Sequence, residues 1–232
     1  MTSEKLLALS ALLVACSSSP PPPAAPTASP PKAEDHHGGH HTLVHRFEKA
    51  DEWAPKFDDP ARDEWQKPQD VVAALELQPG MKVADVGAGT GYFIPHLSRA
   101  VGEKGVVYAL DVEPDMVRYM KERVAREKLT NVQPTVVPAD DLGVVDLDRI
   151  LFVDVWHHIP NREAYATRLR NALKPGGRVV IVDFTLDASH GPPKHHRLEP
   201  EKVVRELAAG GLTASVSPTR LPDQYIVVGT RP

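Results

Sequence analysis

Cysteine is almost absent from this 232-residue chain: the only one is Cys16. No thiol follows it, which excludes a disulfide scaffold, a cysteine zinc site and a cysteine nucleophile from the body. Aromatic residues are few, at 6%. A basic excess is also missing. The net charge is −4, so the chain lacks the overall positive field that drives nonspecific nucleic-acid binding. Long apolar runs are absent too. The one candidate, residues 6–15 (LLALSALLVA), is ten residues long, about half of what a bilayer-spanning helix needs.

What is present is unevenly placed. Residues 6–15 fit the apolar region of a secretory signal peptide. Leu13-Val14-Ala15-Cys16 resembles a bacterial lipobox, in which the cysteine is acylated and becomes the new N-terminus. The competing reading is a cytoplasmic N-terminus with an accidental apolar run. Seven of the 23 prolines fall in residues 20–31, within a Ser/Pro/Ala stretch that can bury no core and reads as an extended tether. Five of the 11 histidines follow in residues 36–45. They could bind zinc, copper or nickel, but a flexible glycine-containing run offers no fixed geometry, so a solvated linker is favoured and no metal is assigned. The expected organisation is a signal peptide over residues 1–15, a lipidated Cys16 with its linker to residue 45, and one folded domain over 46–232.

Within that domain, valine-rich runs at 82–87, 105–111, 131–140, 148–155 and 176–184 read as strands covered on both faces. Helix signals lie between them. Pro114 opens one, with Val117, Met120 and Val124 on one face. Asn161 caps another, with Tyr165, Leu169 and Leu173 on its buried side, and Lys174-Pro175-Gly176-Gly177 ends it. Alternating strand and helix predicts an α/β fold, a Rossmann-like doubly wound sheet. The last two strands, 212–217 and 224–229, are joined by too short a loop for a crossover, so they predict a C-terminal antiparallel hairpin. Seven strands result.

Asp85-Val86-Gly87-Ala88-Gly89-Thr90-Gly91-Tyr92-Phe93 joins the first strand to a helix. Glycines at alternate positions permit positive φ and close approach of a ligand. Asp111 ends the second strand 24 residues after Gly87, where a carboxylate can accept both ribose hydroxyls. Asp140 ends the third strand, where a carboxylate can accept from an adenine amino group. The loop is G-x-G-x-G, and Tyr92 stands where a dinucleotide fingerprint has its third glycine.

With these residues in view, the chain resembles the class I S-adenosylmethionine-dependent methyltransferases over about residues 68–231. The motifs are DVGAGTGYF, YALDVEPDM, PADD, VDVWHHIP and LKPGGRVVIVDF. The resemblance implies S-adenosylmethionine as cofactor. It places Asp85 and the loop of Gly87, Ala88, Gly89 and Gly91 at the methionine end. Asp111 would hold the ribose, Val112 would lie against adenine, and Asp140 with its neighbour Asp141 would read the adenine amino group. Asp154 would position the cofactor or its loop. His157 or His158 is the candidate general base, the two being unresolved from sequence. An aspartate at a strand end is also often only a cap.

The turn after strand four carries no Asn-Pro-Pro-Tyr or Asp-Pro-Pro-Tyr, which disfavours nucleic-acid base methylation. Together with the missing cysteines, which argue against arsenic chemistry, this leaves a small-molecule acceptor. The segment 47–68, with Trp53, Phe57, Arg62, Trp65 and Gln66, either covers the cofactor or packs on the sheet edge. The loop 187–197, with His190, His195 and His196, reads as solvated. Rival readings are a tethered cofactor-binding protein without turnover and an NAD(P)-dependent oxidoreductase. The first draws weight from a conflict: the cofactor is made in the cytosol, whereas a lipobox sends the chain to the cell envelope.

Overall fold

The computed structural model describes residues 47–232. Cys16, the proline-rich tether and the histidine run lie outside the described residues. Three helices come first: α1 (Ala50–Phe57), α2 (Arg62–Gln66) and α3 (Pro68–Ala74). Strand and helix then alternate through β1 (Lys82–Val86), α4 (Ile94–Val101), β2 (Val106–Asp111), α5 (Pro114–Glu127), β3 (Val132–Val136) and β4 (Leu147–Val153). After a 3-10 turn at Trp156–His158 come α6 (Arg162–Ala172), β5 (Leu173–Phe184), α7 (Pro200–Ala209), β6 (Thr213–Val216) and β7 (Gln224–Thr230).

The seven strands form one sheet in the order β3-β2-β1-β4-β5-β7-β6. The first five pair in parallel, and β7 runs antiparallel to both β5 and β6. The chain thus winds outward from β1 to β3, then restarts at β4 on the other side of β1. That reversal opens a crevice at the carboxyl ends of β1 and β4, the place where open α/β sheets bind ligands.

Each central strand buries both faces. Val83, Leu151, Val180 and Ile226 pack with α3, α4 and α5, whereas Ala84, Phe152, Ile181 and Val227 pack with α6 and α7. The alternation follows from the period-two geometry of a strand and explains the unbroken apolar runs. Asn161 caps α6, its side chain accepting from the Ala164 amide.

Two strands depart furthest from their sequence limits. β3 stops at Val136, short of the run to residue 140, because it is an edge strand interrupted by two prolines, Pro134 and Pro138. β5 begins earlier, at Leu173, which pairs with Leu147 ahead of an irregularity in register. The Pro-Gly-Gly segment that ends the helix is therefore inside the strand.

Candidate functional site

The glycine loop leaves β1 with Gly87, Gly89 and Gly91 all at positive φ. At Gly87 the requirement is double, since φ is +69° and an added Cβ would lie 2.5 Å from Val155 Cγ2. The loop therefore presses directly on the segment after β4. The amides of Gly87 and Ala88 both donate to the Leu110 carbonyl, at 2.8 and 3.0 Å.

Asp111 fixes the loop from the next strand. One carboxyl oxygen accepts from the Gly89 amide at 2.8 Å and the other from the Glu113 amide at 2.9 Å. Burial raises its pKa, and those backbone donors oppose the rise. A carboxylate has about four lone-pair sites, so each oxygen retains acceptor capacity beyond its backbone bond. Val112, beside it, is 48% exposed. Asp140 lies four residues beyond β3, exposed, with a carboxyl oxygen 3.0 Å from Arg168 of α6. Asp141 caps a turn by accepting from the Gly143 amide at 3.3 Å.

A second polar group fills the crevice. Asp85 is 3% exposed, and its carboxyl accepts no hydrogen bond among the described residues. Asp154, at φ +61°, accepts from Gln224 Nε2 at 2.5 Å. Gln224 in turn accepts from Gln66 Nε2. Arg62 lies near both acids: it is 3.9 Å from Asp154 and stacks 4.1 Å over the Tyr92 ring. Its guanidinium donates to the Phe57 carbonyl and to Gln66 Oε1. Burial raises both Asp85 and Asp154 to about 7, while Arg62 pulls each downward.

The N-terminal segment covers this crevice. Phe57 sits over Gly89, with a ring atom 3.6 Å from where a Cβ would be. Asp58 accepts from the Thr90 hydroxyl at 2.8 Å and from Arg123 at 2.9 Å, and Asp63 accepts from the Tyr92 hydroxyl. Trp65 packs against His190 and Phe184. The His190 ring is thus packed, while none of the loop 187–197 is buried and much of it is exposed, as a solvated loop requires. Arg197 pins that loop by donating to the carbonyls of Thr185, Ala188, His190 and Pro192.

At the end of β4, His157 Nδ1 lies 2.9 Å from both oxygens of Asp183, a fully buried residue of β5. A carboxylate only accepts, so Nδ1 carries the proton and Nε2 holds the free lone pair. Burial resists charging of His157, but Asp183 outweighs it and the pKa rises. His158 stacks against His157 with ring centroids 4.1 Å apart. Tyr225, opposite Asp183 in the β5–β7 pairing, has a buried hydroxyl without a partner among the described residues. Asp183, Gln224 and Tyr225 are absent from the sequence-derived set. The signal for Asp183 was available, a carboxylate closing an apolar strand as at Asp85 and Asp111. Gln224 and Tyr225 carry no such signal.

A family model described as "Methyltransferase domain" matches residues 77–213, more than half of the chain. The chain belongs to this methyltransferase family. Among curated proteins, the methyltransferase domain is similar to the ubiquinone/menaquinone biosynthesis C-methyltransferase UbiE of Shewanella pealeana. The two are 31% identical over 118 residues, covering 50% of this chain and 47% of that protein. The corresponding protein of Cupriavidus metallidurans is 27% identical over 125 residues, covering 50% and 48%. The chain spans about half the length of these curated relatives.

Among solved structures, a SAM dependent methyltransferase from Aquifex aeolicus is 30% identical with a TM-score of 0.72, covering 78% of this chain and 98% of that one. The putative methyltransferase complexed with the Trm112 activator of Haloferax volcanii has a TM-score of 0.65 at 18% identity, covering 80% and 98%, a likeness of fold alone.

The cofactor of the class is S-adenosylmethionine, and the residues of this methyltransferase domain fit it. Asp111 has acceptor sites left for ribose hydroxyls. Val112 offers an exposed apolar side chain, and Asp85 presents a buried carboxyl that lacks a hydrogen-bond donor.

Proposed function

We propose that this methyltransferase domain methylates a small molecule whose reacting atom carries a weakly acidic proton, with His157 as general base. The observation that carries the reading is the His157–Asp183 pair. A buried carboxylate fixes the imidazole tautomer and orientation, leaving Nε2 as the proton acceptor. When bound, the cofactor would supply an electrophilic methyl group and leave as the neutral thioether. Asp111, Asp85 and the glycine loop hold it in place. His157 Nε2 takes the acceptor's proton, and Asp183 stabilises the resulting imidazolium. The Tyr225 hydroxyl, held protonated by burial, is a hydrogen-bond donor for a polar group of the acceptor. Asp140 and Asp141 are assigned to the adenine end and His158 to packing beside the base.

The names of the UbiE relatives make phenolic and quinol rings the first acceptors to test. Transfer of a labelled methyl group to a panel of such rings, against aliphatic amines, checks the class. His157→Ala should lower turnover about 10²–10⁴-fold, the usual contribution of a general base. Because the base must be neutral to act, and Asp183 raises its pKa, wild-type kcat/KM should rise with pH through a value above the ordinary 6.5 of histidine. Asp183→Asn should shift that limb downward. An unshifted limb, or methylation of amines alone, would overturn the assignment.

We also propose that the chain is exported and anchored through acylated Cys16, giving it a membrane partner in the cell envelope. Support comes from the apolar run, the lipobox-like motif and the tether behind it. More than one acyl chain is needed for stable anchoring. Radiolabelled fatty acid should enter the wild-type chain and not Cys16→Ser; equal labelling of both would refute the anchor.

A further inference from the structure

Asp85 and Asp154 stand at the point where the sheet order reverses, at the carboxyl ends of neighbouring parallel strands. Val86 lies opposite Phe152 in the β1–β4 pairing, so the same register brings Asp154 level with the start of the glycine loop. The close approach of Gly87 to Val155 makes the same juxtaposition.

Charged and titratable groups face these two acids from several elements. From α2 comes Arg62, which acts on both. From β2, Asp111 repels Asp85. From β5, Asp183 repels Asp154, and from the 3-10 turn His157 attracts it. From β7, Gln224 donates to Asp154 and the Tyr225 phenol lies near it. His157 is already paired with Asp183, and the Arg62 guanidinium donates its hydrogen bonds to Phe57 and Gln66. A buried carboxylate, Asp85, and a part-buried one, Asp154, therefore share one nearby guanidinium. With both ionised, the pair is one positive charge short. A buried unpaired charge is costly, which is why burial raises both groups to about 7.

We propose that Asp85 and Asp154 form a charge-reading subsite completed by the sulfonium cofactor, with Asp154 distinguishing the cofactor from its demethylated product. The inference rests on the reading above that S-adenosylmethionine lies over the glycine loop. The amino-acid end of that molecule carries one ammonium and one carboxylate, which cancel. The sulfonium leaves a net charge of +1, and loss of the methyl group makes the product a neutral thioether. The cofactor supplies the missing charge; the product does not. Asp85, at the methionine end, meets the ammonium that both ligands carry. Asp154, beside the base, faces the position where the two ligands differ.

Linkage makes this measurable. A ligand that requires Asp154 ionised binds with release of a proton at pH values below the carboxyl's pKa, and its affinity rises with pH. Isothermal titration of the full chain with S-adenosylmethionine and with S-adenosylhomocysteine, from pH 5.5 to 8 in two buffers of different ionisation enthalpy, reads both quantities. The preference for the cofactor should grow on the order of tenfold across that range, the behaviour of one obligatory ionisation, with more proton release for the cofactor than for the product. Asp154→Asn keeps a residue tolerant of positive φ and should flatten the preference and equalise the proton release for the two ligands. Asp85→Asn should weaken both ligands alike. A pH-independent preference in the wild type, a slope that survives in Asp154→Asn, or one lost only in Asp85→Asn would overturn the proposal. Failure of the wild type to bind either ligand would instead overturn the cofactor reading beneath it.

Discussion

Asp111 serves two purposes that the sequence cannot separate. It holds the loop through the Gly89 and Glu113 amides, and under the proposed function its remaining lone pairs accept from the ribose. Asp111→Ala should therefore destabilise the chain even without cofactor, by about 1–3 kcal/mol for each amide left buried and unpaired. Urea unfolding of the cofactor-free variant reads this, and an unchanged midpoint would show that the loop holds itself. Asp85 should behave in the opposite way. Its pKa is near 3.8 unfolded and about 7 folded, so its favourable contribution is present below pH 4 and lost as pH rises through 7. Asp85→Asn should raise the melting temperature of the cofactor-free chain at pH 8 and change it little at pH 4. Asp85 and Asp111 were legible because each ends a strand next to the glycine loop. Asp183 has the same local signal, but nothing in one sequence says that β5 lies beside β4, and so nothing pairs it with His157. The choice between His157 and His158 as base required the same tertiary fact.

At the level of elements, the strand–helix alternation was legible because burial on both faces leaves a continuous apolar run. The edge strands were less so: β3 and β6 expose most of their residues, and packing no longer dictates their limits. For α1 and α2 the aromatic content was visible but not what it covers. Their docking uses polar contacts from distant parts of the chain, namely Asp58 with Thr90 and Arg123, and Asp63 with Tyr92. This cover bears on turnover, because the His157 side chain is only 4% exposed and an acceptor must reach it. Removing the Asp58 carboxylate takes away the shared acceptor of Thr90 and Arg123. Asp58→Ala should speed amide hydrogen exchange across α1 and α2 while leaving β1, β4 and β5 as slow as before. Uniform acceleration throughout the sheet would instead mean that the cover is part of the cooperative core.

For the molecule as a whole, the parallel sheet and the N-terminal cover have separable roles. The core is built from β1 to β7 with α3 to α7, and its largest buried side chains, from Leu75 and Ile94 to Phe152 and Trp156, all follow Pro68. The cover supplies the one guanidinium between Asp85 and Asp154, the ring over Gly89 and the carboxylate that anchors Arg123. A chain starting at Pro68 should therefore still give a cooperative thermal transition with the circular dichroism of an α/β sheet. It should lose stability through exposure of the surface under Ala50 and Ala54. Without Arg62, both crevice carboxyls lose their nearest cation, and each has more reason to stay protonated near neutral pH. Its affinity for S-adenosylmethionine should fall more than its affinity for adenosine, because Asp111 and Val112 remain whereas the charged end of the crevice is dismantled. Equal loss for both ligands would mean that the cover acts only by shielding the crevice from water and not through its charge.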